Sequence, residues 1–274
     1  MRIDLHSHST ASDGQLTPTE LMARAAEKEV DVLALTDHDT LAGLEEAALA
    51  ADAHGVRLIN GVEISCLWQA LEIHVVGLNV ERHHAGLNGL LAEQQLRRDQ
   101  RARLMAERLE KARFPGAYEG ARALAGDAPI TRTHMAKWLL SQGAADSIPK
   151  IFKKFLSRGN TGYAPPNWCS LDDAIAAIHQ AGGVAVLAHP TRYELSNKWI
   201  KKMLAAFAEA GGDAMEVSMA QQSPQERATL GQWSKEHQLE ASVGSDFHYP
   251  SQWRELGRQL WLPKEATAVW TRFI

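Results

Sequence analysis

Twelve of the 274 residues are histidine, and several fall at spacings that suit chelation. His6 and His8 lie two apart, as do Asp246 and His248. In an extended strand, residues i and i+2 point the same way, so each pair can close on one ion. Single candidates stand at the ends of apolar runs: His38 after Asp37, Glu63, His189 after Val184–Ala188, and His74 within a further run, with Asp13 in the loop after His8. Six imidazoles and three carboxylates are too many for one tetrahedral ion. They suit two or three ions of the Mn, Fe or Zn type, with Glu63 as the natural bridge. His54, His83, His84, His179 and His237 lie on helices or in loops without such partners and read as ordinary histidines.

A scaffold must bring these positions to one place. Apolar runs at Arg2–His8, Val32–Thr36, Arg57–Ile64, Glu72–Leu78, Val184–Ala188, Ala214–Ser218 and Ser242–Ser245 read as strands, with a last one over Gln259–Leu262. Helices are expected between most of them. Thr17-Pro18-Thr19-Glu20 is a capping box with proline at the first helical position, and helices over 40–54 and 197–210 stop at glycine. Strands followed by helices imply a parallel sheet with helices outside, and about seven such units favour a barrel over an open doubly wound sheet. At the C-terminal face of a barrel, strand ends and loops converge.

From 81 to 162 strand signals vanish. One long helix is expected over Gly86–Arg113, with shorter ones at Thr133–Ser141 and Ile148–Leu156. The expected organisation is therefore a barrel from 1–80 and 163–274 interrupted by a helical insert at 81–162. The rest of the composition is ordinary. Net charge is −4, against a broad electrostatic grip on nucleic acid. Only Cys66 and Cys169 are present, as in a reduced cytosolic protein. No apolar run approaches the roughly 20 residues of a membrane span, and the N-terminus lacks a signal-peptide core. A cytoplasmic location is expected.

Asp-Leu-His6-Ser-His8 with Ser-Asp13-Gly, Leu-Thr-Asp37-His38-Asp, Gly-Val-Glu63-Ile-Ser, Ala-His189-Pro and Gly-Ser-Asp246-Phe-His248 resemble the successive motifs of the PHP (polymerase and histidinol phosphatase) superfamily. The likeness covers the chain outside the insert and departs at none of the nine positions. It implies a distorted (β/α)7 barrel, a trinuclear divalent-metal site and phosphoesterase chemistry. One ion would be held by His6, His8, Glu63 and Asp246, a second by Glu63, His74 and His189, a third by Asp13, His38 and His248. A bridging hydroxide would attack phosphorus, with Asp246 accepting its remaining proton and His248 or a water protonating the leaving group. Three ions, three carboxylates and one hydroxide leave about +2 in the cleft to attract a phosphate dianion.

The insert, with Thr-Arg132-Thr-His134, is most similar to the TrpH-like branch, which holds nucleoside 3′,5′-bisphosphate phosphatases and 5′-to-3′ exonucleases of short RNA. Arg132 and His134 begin a helix, whose free N–H groups suit an anion, and Arg97 and Arg98 carry forks for bidentate phosphate contact. The insert is thus expected to lid the cleft and grip a second phosphate. Lys150, Lys153, Lys154 and Arg158 form a basic run, and Tyr163 and Trp168 could stack on a base. The leading expectation is release of the 3′-phosphate from nucleoside 3′,5′-bisphosphates, and the alternative is a 5′-to-3′ exonuclease on short RNA or DNA. A histidinol-phosphate-type phosphatase, an amidohydrolase and a non-catalytic metal-binding module are lesser alternatives. The expected partners are nucleotides or short oligonucleotides, with no membrane and no obligate protein partner.

Overall fold

A computed structural model describes residues 1–274. The first half alternates β1 (Ile3–Asp4), α1 (Pro18–Glu27), β2 (Val32–Leu35), α2 (Leu44–His54), β3 (Arg57–Trp68) and β4 (Leu71–Leu78). Four helices follow: α3 (Ala85–Lys111), α4 (Ala117–Ala125), α5 (Arg132–Ser141) and α6 (Ile148–Ile151), the last continuing as a π-helical turn over Phe152–Leu156. The chain then runs through β5 (Cys169–Ser170), α7 (Leu171–Gln180), β6 (Val184–Leu187), α8 (Asn197–Glu209), β7 (Ala214–Met219), α9 (Pro224–Glu236) and β8 (Glu240–Gly244). Capping boxes at Thr17, Ser170 and Ser223 start α1, α7 and α9 by satisfying backbone N–H groups that no helical carbonyl reaches.

Seven strands form one sheet in the order β1-β2-β3-β4-β6-β7-β8, and β5 pairs with β3. The sheet nearly closes. Leu5 N–H donates to the Val243 carbonyl at 3.1 Å, Asp246 N–H to the His6 carbonyl at 2.9 Å and His8 N–H to the Phe247 carbonyl at 2.8 Å. The barrel is mixed rather than wholly parallel, because β4 runs antiparallel to both β3 and β6. The physical reason is the two-residue link Gln69–Ala70, with φ of 47° and 62°. It is a tight hairpin turn, whereas a parallel neighbour needs a crossover of a dozen residues. The strand expected over Gln259–Leu262 is absent. The edge of β8 is already taken by the N-terminal segment, and only an isolated bridge between Ala241 and Ala268 forms there.

Alternate strand positions fill the barrel: Ile3, Leu5, Val32, Ala34, Val184, Val186, Ala214 and Val243 make one buried cluster. The intervening positions pack outward, Leu33 and Leu35 on α1 and α2, and Ala185 and Leu187 on α7 and α8. The helices α3–α6 have their own core around Met105, Leu109, Met135, Leu139, Phe155 and Leu156. Helix α3, 27 residues and so about 40 Å long, joins the two. Its Leu87 and Leu91 pack on the barrel, and its Ala102, Met105 and Leu109 pack in the helical core.

Candidate metal centre

The nine predicted ligands meet at one mouth of the barrel, but few are carried by regular strand. Hydrogen-bonded β1 stops at Asp4, and His6 and His8 lie on an irregular stretch pinned by an isolated bridge between Ser7 and Phe247. A second bridge sets His38 beside Glu63 in the middle of β3. Two candidate ligands, His189 (φ 30°) and Asp246 (φ 50°), and the neighbouring Asp39 (φ 50°) occupy the left-handed region. Such non-glycine conformations cost about 1–3 kcal/mol each and turn the side chain out of the strand's alternation. Gly244 permits the approach of β8: a Cβ there would lie 2.4 Å from His6 Cβ and 2.7 Å from Glu216 Oε1.

Three groupings overlap. His6 Nε2 and His8 Nε2 are 3.1 Å apart. Glu63 lies 3.4 Å from each, and Asp246 Oδ1 lies 3.7 Å from the first and 3.3 Å from the second. Glu63 Oε1 lies 2.9 Å from His74 Nδ1 and 3.0 Å from His189 Nε2. Asp13 Oδ1 lies 3.2 Å from His248 Nε2 and 3.7 Å from His38 Nε2. His38 is shared differently from the sequence-based expectation, since its Nδ1 also comes within 2.8 Å of Glu63 Oε2. His8 likewise can join Asp13, His38 and His248 in a four-residue group. Ligands bonded tetrahedrally at 2.0–2.1 Å stand about 3.3–3.4 Å apart, close to these separations.

The donor set fits divalent cations. Asp13 Oδ1, His38 Nδ1 and Glu63 Oε2, all of them donor atoms of these groupings, are buried without a hydrogen-bond partner, and a buried polar atom left so costs about 1–3 kcal/mol. The Nε2 atoms of His6 and His8, 3.1 Å apart, must share either a proton or a cation. With protons alone, the cluster balances as imidazolium against carboxylate. Burial would raise Glu63, but the His74, His6 and His38 rings hold it well below the usual carboxylate range. Burial would raise Asp13 too, and His248 and His38 depress it. Burial would lower His248, yet Asp13 and Asp246 bring it up to about 9, whereas burial, His248 and His38 push His8 down to about 3. Cations must displace the protons held here, so metal affinity weakens as the pH is lowered.

Partners that sequence reading did not single out hold these ligands. The Glu216 carboxylate takes His6 Nδ1 at 2.6 Å through Oε1 and accepts from His189 N–H at 2.6 Å through Oε2. It fixes His6 with Nε2 toward the mouth, the usual office of a carboxylate behind a metal-ligating imidazole. The signal was available: a glutamate inside the otherwise uncharged buried strand β7. Tyr193 OH accepts from His74 N–H and donates to the Ala188 carbonyl, both at 2.9 Å. Asp37 accepts from Ser9 N–H, Ser9 Oγ and Ser12 Oγ, tying down the loop that carries Asp13. Asp246 is gripped by Arg192 at Oδ2 and receives Arg254 at its main-chain oxygen at 3.0 Å. Burial opposes the Asp246 charge, but His248 and Arg192 hold its carboxyl well below the usual range.

The four expected phosphate-binding residues separate. Arg132 lines the cleft above the cluster, its guanidinium stacked over Phe152. Arg98 is buried and committed to Asp39 Oδ2 and Ser65 Oγ, each at 2.7 Å, and Arg97 to Gln94 and Glu93. Neither faces the cleft, because both lie on the barrel-facing half of α3. His134 is buried at the start of α5, where its Nδ1 accepts from Thr131 N–H at 3.1 Å, so it acts within the helix cap. Burial brings this imidazole from its ordinary 6.5 down to about 4. The neutral form is favoured by the fold, so the associated stability, on the order of 3 kcal/mol, is present above pH 6.5 and lost as pH falls through about 4. His134→Gln keeps an acceptor for the cap. It is expected to lose stability less steeply than the wild type between pH 6.5 and 4 in denaturant titrations, and equal slopes would show that the imidazole contributes nothing.

A family model described as the PHP domain matches residues 4–162. The chain belongs to the PHP family. Among PHP relatives, the 5′-3′ exoribonuclease Rnm of Escherichia coli K12 is 54% identical over 269 residues, covering 97% of this chain and 92% of that protein. The 3′,5′-nucleoside bisphosphate phosphatase of Chromobacterium violaceum is 40% identical, covering 98% and 95%. A solved structure from C. violaceum, described as an amidohydrolase, superposes with a TM-score of 0.94 at 39% identity and covers 99% of this chain and 95% of that one. No helix of this PHP protein is long and apolar enough to cross a membrane.

Proposed function

We propose that this chain is a metal-dependent phosphoester hydrolase that removes nucleotides one at a time from the 5′ end of short RNA. One observation carries the reading. The imidazole–carboxylate cluster floors a cleft of about 520 Å³ whose walls bear Arg132 and Arg158, guanidinium groups with no carboxylate in salt-bridge contact, and the rings of Phe152, Tyr163 and Tyr193. Such a cleft suits one phosphate over the floor, a second on the arginines and a base against the rings. Relatives at 53% and 54% identity bear the name 5′-3′ exoribonuclease, which reverses the order of the two sequence-based expectations.

Three divalent ions fit the three groupings, and when bound they supply Lewis acidity to a phosphoryl oxygen and bring the pKa of water to about 7. The chain's own residues hold the donor atoms, exclude bulk water below the cleft and fix the substrate's direction. Glu63 joins the groupings, Glu216 aims His6, and Arg192 steadies Asp246 beside the cleft. Helices between 81 and 162 serve as the substrate-facing domain, through Arg132 and Arg158. A nucleoside 3′,5′-bisphosphate is the shortest substrate of the same kind, as the 40%-identical relative's name supports. In both substrates the bond from phosphorus to O3′ breaks, water supplies the new oxygen, and the O3′ alkoxide takes a proton. They differ in whether that phosphorus carries a further nucleotide.

The test is a manganese-loaded time course on a 5′-phosphorylated RNA pentamer, its 5′-hydroxyl counterpart, a nucleoside 3′,5′-bisphosphate and simple amide substrates. A ladder of 5′-mononucleotides released from the 5′ end supports the reading. Release from the 3′ end, internal cuts, or turnover confined to the bisphosphate or the amides overturns it. In the same assay Arg132→Ala is expected to lower kcat/KM for the 5′-phosphorylated pentamer roughly 10- to 100-fold, the loss of one charge-assisted hydrogen bond. The 5′-hydroxyl pentamer should change little, and equal losses on both would remove the arginine from 5′-phosphate recognition.

A further inference from the structure

We propose that Thr131, the N-cap of α5, is a positioning residue for a cation held by Asp13, His38 and His248. Its hydroxyl holds one oxygen of Asp13 so that the other faces the two imidazoles. The inference rests on the reading of that grouping as one of the three cation sites.

Asp13 sits in the loop after His8, 118 residues from Thr131, and both are buried. Thr131 Oγ1 lies 3.0 Å from Asp13 Oδ2. Asp13 Oδ1 has no hydrogen-bond partner and lies between His248 Nε2 and His38 Nε2. The direction of the hydroxyl bond follows from its other neighbours. Thr133 N–H donates to Thr131 Oγ1 at 3.1 Å, occupying a lone pair. His134 Nδ1, 3.3 Å from the same oxygen, already accepts from Thr131 N–H. The hydroxyl proton therefore goes to the carboxylate, the stronger acceptor. Nearly two turns further along α5, Lys137 Nζ reaches the Asp13 carbonyl oxygen at 3.4 Å. Helix α5 thus grips Asp13 at both side chain and main chain.

A free aspartate rotates broadly about its last torsion, and the bond to Thr131 selects the orientation that presents Oδ1. The other groupings are held from the barrel side, by Glu216 behind His6 and Tyr193 behind His74. The arrangement makes one of the three ions answer to the docking of α5, whose next residue, Arg132, lines the cleft. Loss of such an outer partner typically lowers metal affinity 10- to 100-fold.

The test is equilibrium dialysis of the full chain against a Mn²⁺ series, with bound manganese counted by elemental analysis. It uses wild type, Thr131→Val, Thr131→Ser and Asp13→Asn. Thr131→Val should need 10- to 100-fold more Mn²⁺ to fill one site while the others fill normally, and Thr131→Ser, which keeps the hydroxyl, should follow the wild type. Thr131→Gly, tolerated at an N-cap but lacking the hydroxyl, replaces the valine variant if that chain melts early without metal. A wild-type titration in the hydroxyl-free variant, or equal weakening at every site, overturns the role of Thr131. If Asp13→Asn instead binds as many ions as the wild type, no cation uses Asp13, and the cation-site reading falls along with the proposal.

Discussion

Glu63→Ala is expected to cut phosphoester hydrolysis roughly 10³-fold or more, the rate equivalent of several kcal/mol of lost charge stabilisation. No other side chain touches so many of the candidate ligands. Its two oxygens lie within 3.4 Å of His6 and His8, 2.8 Å of His38, 2.9 Å of His74 and 3.0 Å of His189. Removing it takes the shared negative charge from five imidazoles at once, so bound metal should fall together with rate. Glu63→Gln, which keeps the shape and one carbonyl acceptor, should fall between the two. Metal content and kcat measured on the same preparations decide the matter. An alanine variant that keeps both would show that Glu63 is a buried counter-ion for histidines and bridges nothing.

Arg192→Ala is expected to lower kcat roughly 10²- to 10³-fold, the effect of removing one preorganised donor from a developing charge, while most of the bound metal remains. Arg192 lines the cleft and its guanidinium grips Asp246 Oδ2, leaving Oδ1 turned toward His8 Nε2 at 3.3 Å. One fork of the arginine is thus tied to Asp246, and the group as a whole lines the cleft above the cluster. Arg192→Lys keeps the charge without the planar fork and should recover only part of the rate. If both variants lose metal in proportion to rate, Arg192 acts only by holding Asp246 and has no contact with substrate.

These two residues illustrate how far the primary structure reaches. Glu63 was visible as a carboxylate closing an apolar run, and the His-x-His and Asp-x-His pairs were visible because chelation by neighbours is a local property. Arg192 was not, because an arginine two residues past Pro190 looks like any loop cation until the turn after β6 brings it to Asp246. Arg98 shows the opposite case. Its type suits phosphate, but the azimuth of a residue around α3 decides whether it meets solvent, cleft or core, and Arg98 meets Asp39 and Ser65.

By itself, the order of residues determined the ligand chemistry, most strand and helix positions, and the family through its spaced motifs, since each depends on short-range periodicity and residue type. Tertiary structure alone decided that β4 reverses direction, that His189 and Asp246 are turned by left-handed backbone, and that Glu216, Arg192 and Thr131 stand behind the candidate ligands. These are contacts between residues tens to hundreds of positions apart. They are set by how the barrel closes and where the helices dock, which no local pattern encodes.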